Sequence, residues 1–229
     1  MLSIEKKLRA LSRIYEIYEK VVATLETACE KYCADCCTCN VTLTTLEAYP
    51  IITHLKENGE QTLIHQLETP DQRIRFQPRI TTNRLAMQCM SGEEIPEEEN
   101  DPSWGRCPFL SEEACRIYPI RPFGCRCLLS REKCGSSGFA EVTDFILTVN
   151  TVFMQVIEHL DQGGLYGNLT DLAGFLAAAE NSRAYETARP LLNTREFATN
   201  HALTCLMIPE EHRAQMEPFL AALRTCLEG

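Results

Sequence analysis

The chain contains 229 residues, of which 45% are hydrophobic and 24% are charged, and its formal net charge is −10. A chain of this length and apolar content can bury a sizeable core, which excludes an intrinsically disordered protein and a small disulfide-stabilised scaffold. The acidic balance, without a long basic stretch, argues against nucleic acid or an anionic membrane as the main partner. The charged N-terminal sequence predicts neither a signal peptide nor a membrane-spanning helix, so we expect a soluble, cytoplasmic protein.

The cysteines are the most informative residues of the composition. Thirteen cysteines occur beside a single tryptophan. In a reducing compartment so many thiols are not expected to form disulfides, and an odd number cannot pair completely within one chain, so metal or redox chemistry is favoured. The cysteines form two groups, at 29–39 and 107–134, and three stand alone: Cys89, Cys205 and Cys226. We expect the three isolated cysteines to be small buried packing residues.

The first predicted element is a long amphipathic helix over residues 2–30. Its apolar stripe recurs at steps of three or four residues, as Ile4, Leu8, Leu11, Ile14, Tyr18, Val21 and Leu25. Because this helix would run directly into Cys29, the first cysteine group is expected on its last turn and on the irregular segment that follows.

Three shorter helices are predicted next. Thr44 and Glu47 have the spacing of a capping box, and Asn58-Gly59 is a typical helix end, which together predict a helix over 44–57. Two further helical stretches are predicted over 61–68 and 82–90.

Residues 91–135 differ from the rest of the chain, since they contain five of the eleven prolines and four glycines. This composition predicts a loop-rich segment whose backbone is fixed by something other than helical hydrogen bonds. Metal ligation by its cysteines would fix the backbone in this way. Helical periodicity returns over 142–160 and ends at Gly163-Gly164, and further helices are predicted over 170–179 and 209–227. We therefore predict a mainly α single domain over 1–229, with a cysteine-ligated, loop-rich metal-binding segment at 29–135 and a helical C-terminal part at 140–229.

The chemistry of the two cysteine groups favours a soft metal centre. Thiolates suit zinc and iron–sulfur clusters, and the spacing of Cys33 and Cys36 lets two sulfurs of one turn reach the same metal. Since the sequence between His65 and His159 contains no histidine, an all-cysteine ligand set is expected. Residues 104–134 carry six basic and three acidic side chains, and their guanidinium groups are expected to offset thiolate charge and to donate hydrogen bonds to sulfur.

Both groups also resemble a known family. The first segment runs from Cys29 through Cys33 to Cys36-Cys37 and is followed by Leu43-Thr44-Thr45-Leu46-Glu47. The second contains the CPFL, C-x-IY-x-x-RP, CR and C-x-G elements. Together they are similar to the zinc- or iron-chelating cysteine-cluster proteins, also described as iron–sulfur-cluster-containing proteins. That family is named for a CxxCxxCC motif, from which this chain departs by one residue between Cys29 and Cys33. The resemblance covers residues 29–135 and implies eight metal ligands: Cys29, Cys33, Cys36, Cys37, Cys107, Cys115, Cys125 and Cys134.

Several interpretations of this ligand set stay open. Eight thiolates allow two zinc sites, one four-iron cluster with a zinc ion, or one cluster with spare thiols; Cys39 and Cys127 are additional candidates. The expected partner is a metal ion or cluster, with a structural, metal-handling or redox role and no identified protein partner. The alternative is an iron–sulfur-dependent enzyme, since some proteins with this cysteine pattern are flagellin lysine N-methylases. The sequence identifies no catalytic residue for such a reaction.

Overall fold

The computed structural model describes residues 2–69, 73–192 and 197–227, except the side chains of residues 136 and 137. The protein is mainly α-helical. The helices are α1 Ile4–Val22, α2 Thr45–Glu57, α3 Gln61–Glu68, α4 Thr82–Ser91, α5 Phe123–Arg126, α6 Cys134–Ser137, α7 Asp144–Leu160, α8 Leu169–Ala177, α9 Ala179–Glu186 and α10 Arg213–Leu227. Short 3-10 helices lie at Pro102–Trp104, Tyr118–Ile120 and Glu210–His212. None of the helices in the described ranges is both long and apolar enough to cross a bilayer.

The capping box predicted for α2 is present. The Thr44 hydroxyl accepts from the Glu47 N–H at 3.3 Å, and the Glu47 carboxylate accepts from the Thr44 N–H at 2.9 Å. The helices predicted over 61–68, 82–90, 142–160 and 170–179 are confirmed to within two residues at each end, and the terminal one begins with a 3-10 turn.

The predicted extension of α1 to residue 30 is wrong. The helix ends at Val22, and the Ala28 N–H donates to the Ser130 carbonyl at 2.9 Å instead of to a carbonyl of its own turn. Cys29 therefore lies on an irregular segment that is attached to a distant part of the chain, and no cysteine of the first group lies on α1.

Short strands, which the sequence did not predict, connect distant parts of the chain. β1 Thr42–Thr44, β4 Leu165–Asn168 and β5 Ala198–Thr199 form an antiparallel sheet in the order β1-β4-β5. β2 Leu110–Ser111 and β3 Ala114–Cys115 form a hairpin inside the cysteine-rich segment. The first sheet places β1, which follows the first cysteine group directly, on the framework of the C-terminal helices.

Two apolar cores support the cysteine-rich segment. In the first core α2 and α3 pack on α8, and in the second α1 packs on α7 and α10. Phe109 and Ile117 of the cysteine-rich segment are buried in the first core, and Phe123 is buried in the second, where it stacks 5.9 Å from Phe153 and meets Tyr18 edge-on at 4.7 Å. Large buried side chains thus hold the segment on the helices at three points.

Candidate metal centre

One cavity collects most of the predicted ligands. It has a volume of about 240 Å³, and its lining includes seven of the eight: Cys29, Cys33, Cys36, Cys37, Cys107, Cys115 and Cys125. A water molecule occupies roughly 30 Å³ in the liquid. The cavity therefore has room for more than one ion or for a cluster. Cys134 is not part of the lining, although its thiol interacts electrostatically with that of Cys29.

Backbone pairing joins the two cysteine groups on one side of the cavity. The Cys107 N–H donates to the Cys37 carbonyl at 3.0 Å, and the Cys39 N–H donates to the Gly105 carbonyl at 2.9 Å. Thr38 and Arg106 form an isolated antiparallel bridge between these two bonds. Two stretches about seventy positions apart in the chain are thus held in fixed register, which a sequence pattern of cysteines alone does not reveal.

A second set of contacts joins the groups on the other side. The Ser130 N–H donates to the Cys29 sulfur at 3.3 Å. The Gly135 N–H donates to the Asp35 carboxylate at 3.0 Å, and Lys133 pairs with Glu30 at 3.1 Å. The loop that carries Cys29 is thereby connected at both its ends to residues 130–135.

Two sulfurs of the cavity receive backbone hydrogen bonds of the same kind. Burial raises the pKa of the Cys107 thiol to about 11, while a hydrogen bond from the Phe109 N–H lowers it. Burial likewise raises the pKa of Cys115, and the Ile117 N–H and the Arg121 charge lower it. An N–H group two residues after a cysteine therefore faces each of these sulfurs, an arrangement that stabilises a thiolate once a metal replaces the proton.

The adjacent cysteines Cys36 and Cys37, which both line the cavity, have pKa values shifted in opposite directions. A hydrogen bond from the Cys36 thiol lowers the pKa of Cys37, although burial and the nearby sulfurs oppose this change. The same bond raises the pKa of Cys36. Cys37 is thus the cavity cysteine at which the thiolate is favoured most clearly.

Most arginines of residues 104–134 bind groups other than the cysteine sulfurs to which they were expected to donate hydrogen bonds. Arg106 pairs with Glu113 and Arg116 with Glu60, while Arg121 lies over the Tyr118 ring at 3.9 Å. Within the described residues, no hydrogen bond from a guanidinium reaches a sulfur. The positive charge of this segment therefore acts on the thiols through space, as Arg121 does on Cys115.

Two residues that sequence reasoning did not select hold Cys125 in place. Arg126 is buried and donates to the carbonyls of Arg121 at 2.9 Å and Pro119 at 3.1 Å. The buried Glu47 carboxylate accepts from the Phe123 N–H at 2.7 Å. A buried charge facing a loop is visible only in three dimensions, so the sequence offered no signal for either role.

The mouth of the cavity is aromatic. Tyr32 is 60% exposed, has a left-handed backbone with φ of 76°, and lines the cavity together with Tyr118. A non-glycine residue in this conformation stores about 1–3 kcal/mol of strain. Tyr32 lies inside the turn that is closed by the hydrogen bond from the Cys33 N–H to the Glu30 carbonyl at 3.0 Å.

The remaining cysteines do not line the cavity, although Cys127 interacts electrostatically with Cys125 and Cys39 with Cys107. Cys39 is buried and donates to Asn40 Oδ1 at 3.4 Å, and Cys127 contacts the second core. Cys226 is buried as expected, and Cys205 is half-buried. The expectation for Cys89 is wrong, because its side chain is exposed near the end of α4.

The cavity thiols do not form a closed coordination shell as they stand. Over the described residues, no three or more His, Cys, Asp and Glu side chains are arranged as a metal site. Rotation about χ1 moves a cysteine sulfur without moving its backbone, so sulfurs that line one cavity can converge on a metal.

The surroundings of these sulfurs fit a thiolate-bound metal in three respects: soft donors, backbone N–H groups on sulfur, and a local excess of positive charge. Comparisons with protein-family models, curated proteins and solved structures gave no match.

Proposed function

We propose that this protein binds an iron–sulfur cluster or zinc through cysteine thiolates and has a structural, metal-handling or redox role. The observation that carries the proposal is the single cavity, because seven predicted ligands from two distant segments line it. Of the thirteen cysteines, seven of the eight sequence-matched ones line this cavity, whereas Cys134 and the five others, Cys39, Cys89, Cys127, Cys205 and Cys226, do not. The resemblance to the cysteine-cluster proteins, which selected the eight before their positions in space were known, supports the same conclusion.

The metal would supply one of two chemistries. Zinc fixes its ligands in space, whereas an iron–sulfur cluster also accepts and donates electrons. The residues around the cavity would stabilise the thiolates that bind either zinc or a cluster. Arg121 offsets the negative charge that thiolates accumulate, and the Phe109 and Ile117 N–H groups bind sulfur lone pairs. Arg126 holds the loop that carries Cys125.

Elemental analysis tests this proposal directly. The protein is purified without oxygen, and iron, zinc and acid-labile sulfide are measured per chain together with the visible absorption spectrum. Iron with an equal amount of labile sulfide would identify a cluster, and zinc without sulfide would identify a structural site. Folded protein that retains neither metal, and that binds neither after reconstitution with Zn²⁺ or with iron and sulfide, would overturn the proposal.

Two variants connect the metal to the cavity. Cys107→Ser and Cys125→Ser are expected to lower the metal content, whereas Cys205→Ser is expected to leave it unchanged because Cys205 lies outside the cavity. Equal effects of all three changes would contradict the assignment of the metal to this cavity.

A further inference from the structure

The hydrogen bonds and packing around the eight predicted ligands favour a division into two groups of four that differs from their grouping along the sequence. The first group, here called the outer set, is Cys29, Cys33, Cys36 and Cys134. The second group, the inner set, is Cys37, Cys107, Cys115 and Cys125. We propose, on the basis of the proposed function, that each set binds its own metal centre.

Contacts between two loops define the outer set. The Cys29 sulfur accepts from the Ser130 N–H at 3.3 Å, and the Asp35 carboxylate accepts from the Gly135 N–H at 3.0 Å. These bonds hold the loop with Cys33 and Cys36 against the turn with Cys134. Besides its bond from Ser130, the Cys29 thiol interacts electrostatically with the thiols of Cys36, Cys33 and Cys134.

The inner set is held by backbone bonds and by the first core. The Cys107 N–H donates to the Cys37 carbonyl at 3.0 Å, and the β2–β3 hairpin places Cys115 opposite Leu110. The side chains of Cys107, Cys115 and Cys125 all pack against the first core. The Cys37 thiol shares a hydrogen bond with Cys36 and also interacts electrostatically with these three sulfurs.

The boundary between the sets falls between the adjacent residues Cys36 and Cys37. Their thiols share a hydrogen bond, and Cys36 also acts electrostatically on Cys125, so the two centres would be neighbours in one cavity. A zinc ion or one cubane cluster uses four cysteines. Eight thiolates therefore exceed the needs of a single centre; seven of them line the cavity, and Cys134 lies outside its lining but interacts electrostatically with Cys29.

The arrangement predicts a specific pattern of non-additivity. Cys33→Ser is expected to remove the metal of one centre and leave that of the other, and the double variant Cys33→Ser/Cys134→Ser is expected to remove no more. Cys33→Ser combined with Cys115→Ser, one change in each set, is expected to remove all of it. Cys89→Ser is the matched control, because Cys89 is exposed and outside the cavity.

A readout on the unaltered protein covers the case in which a variant does not fold. Metal-loaded protein is exposed to a chelator and alkylated with iodoacetamide for short intervals, and mass spectrometry reports the modification of each cysteine. The outer four are expected to lose protection together and first, because the inner set packs on the core. The inner four are expected to follow together in a second phase.

The outcomes separate this inference from the proposed function. Metal-free, folded wild-type protein would contradict the proposed function itself. A wild-type protein that binds metal but loses all of it on any one of the eight substitutions, or whose eight cysteines become modified in one phase, would retain the proposed function and overturn the division into two centres.

Discussion

Arg126 illustrates how one side chain can order a loop. Its guanidinium group donates to two carbonyls, lies 4.2 Å from the centre of the Tyr15 ring and pairs with Glu19. Each of these contacts connects the turn before Cys125 to the helical framework. Charge composition identified Arg126 as a member of a basic segment, but it could not distinguish this buried residue from its exposed neighbours.

Arg126→Ala is expected to lower the free energy of unfolding by about 2 kcal/mol, because it leaves two part-buried carbonyl groups without their donor and removes the contact with the Tyr15 ring. It is also expected to weaken metal binding, since the freed turn carries Cys125. Urea denaturation measures the first effect and metal content the second.

Arg106→Ala is the control for this change. The Arg106 side chain is 64% exposed and pairs with an equally exposed Glu113, so its removal is expected to change stability by less than about 0.5 kcal/mol. Similar losses in the two variants would contradict the role given to Arg126.

Secondary structure elements meet at one buried carboxylate, Asp161, which follows α7. It accepts hydrogen bonds from the Thr45 hydroxyl at 2.5 Å and the Leu46 N–H at 3.0 Å, at the start of α2. It also accepts from Tyr185 of α9 at 2.6 Å and from Asn200 at 3.0 Å, next to β5. One side chain thus connects α7, α2, α9 and the edge of the three-stranded sheet.

Asp161→Ala is expected to lower the free energy of unfolding by about 3 kcal/mol, because it leaves several buried donors unpaired. Asp144→Ala, at the exposed first turn of α7, is the control and is expected to cost less than about 1 kcal/mol. Chemical denaturation compares the two variants. An Asp161 variant as stable as the control would show that other contacts hold these elements together.

Secondary structure elements that arise from local sequence signals could be predicted, whereas elements that depend on tertiary contacts could not. Helices α2, α4, α7 and α8 have local signals, namely a period of three to four residues and a side-chain cap, and α3 has the period alone; the sequence predicts all five well. The strands are two to four residues long, too short for an alternating pattern, and β1 pairs with β4 across more than a hundred positions. The end of α1 depends on the bond from Ala28 to Ser130, a tertiary contact without a local signal.

The same distinction applies to the candidate site. The identity of the cavity cysteines was predictable, because ligand spacing is a local property. The proposed division of the eight cysteines into two sets was not predictable from spacing, since it is argued from the bonds from Gly135 to Asp35 and from Cys107 to Cys37. The exposed position of Cys89 is another tertiary property, determined by which face of α4 packs on α7.

At the scale of the whole molecule, the two apolar cores are built largely without the cavity cysteines. Leu46, Ile51, Phe153 and Leu172 are among the fully buried side chains of the helices. We therefore expect metal removal by a chelator to leave the far-UV circular dichroism largely unchanged. Amide hydrogen exchange is expected to accelerate over 24–39 and 105–135. A general loss of helical signal on chelation would show that the metal is needed for the cores as well.

Metal loading is expected to raise the melting temperature. At a free metal concentration about 1,000 times Kd, binding to the native state alone adds about 4 kcal/mol, or roughly 10 °C in Tm for a chain of this size. Mg²⁺, which prefers oxygen ligands, is the control and is expected to cause no such shift. Equal shifts with Zn²⁺ and Mg²⁺ would indicate non-specific cation binding.

The pairing of Cys37 with Cys107 also sets an order of events during synthesis. Residue 107 leaves the ribosome about seventy positions after residue 37, and Cys134 about a hundred positions after Cys33. At roughly 5–20 residues per second, the first cysteines wait several seconds for the second segment. The nascent chain therefore passes through an interval in which these thiols are open to oxidation, and under the proposed function metal loading would follow the emergence of residue 134.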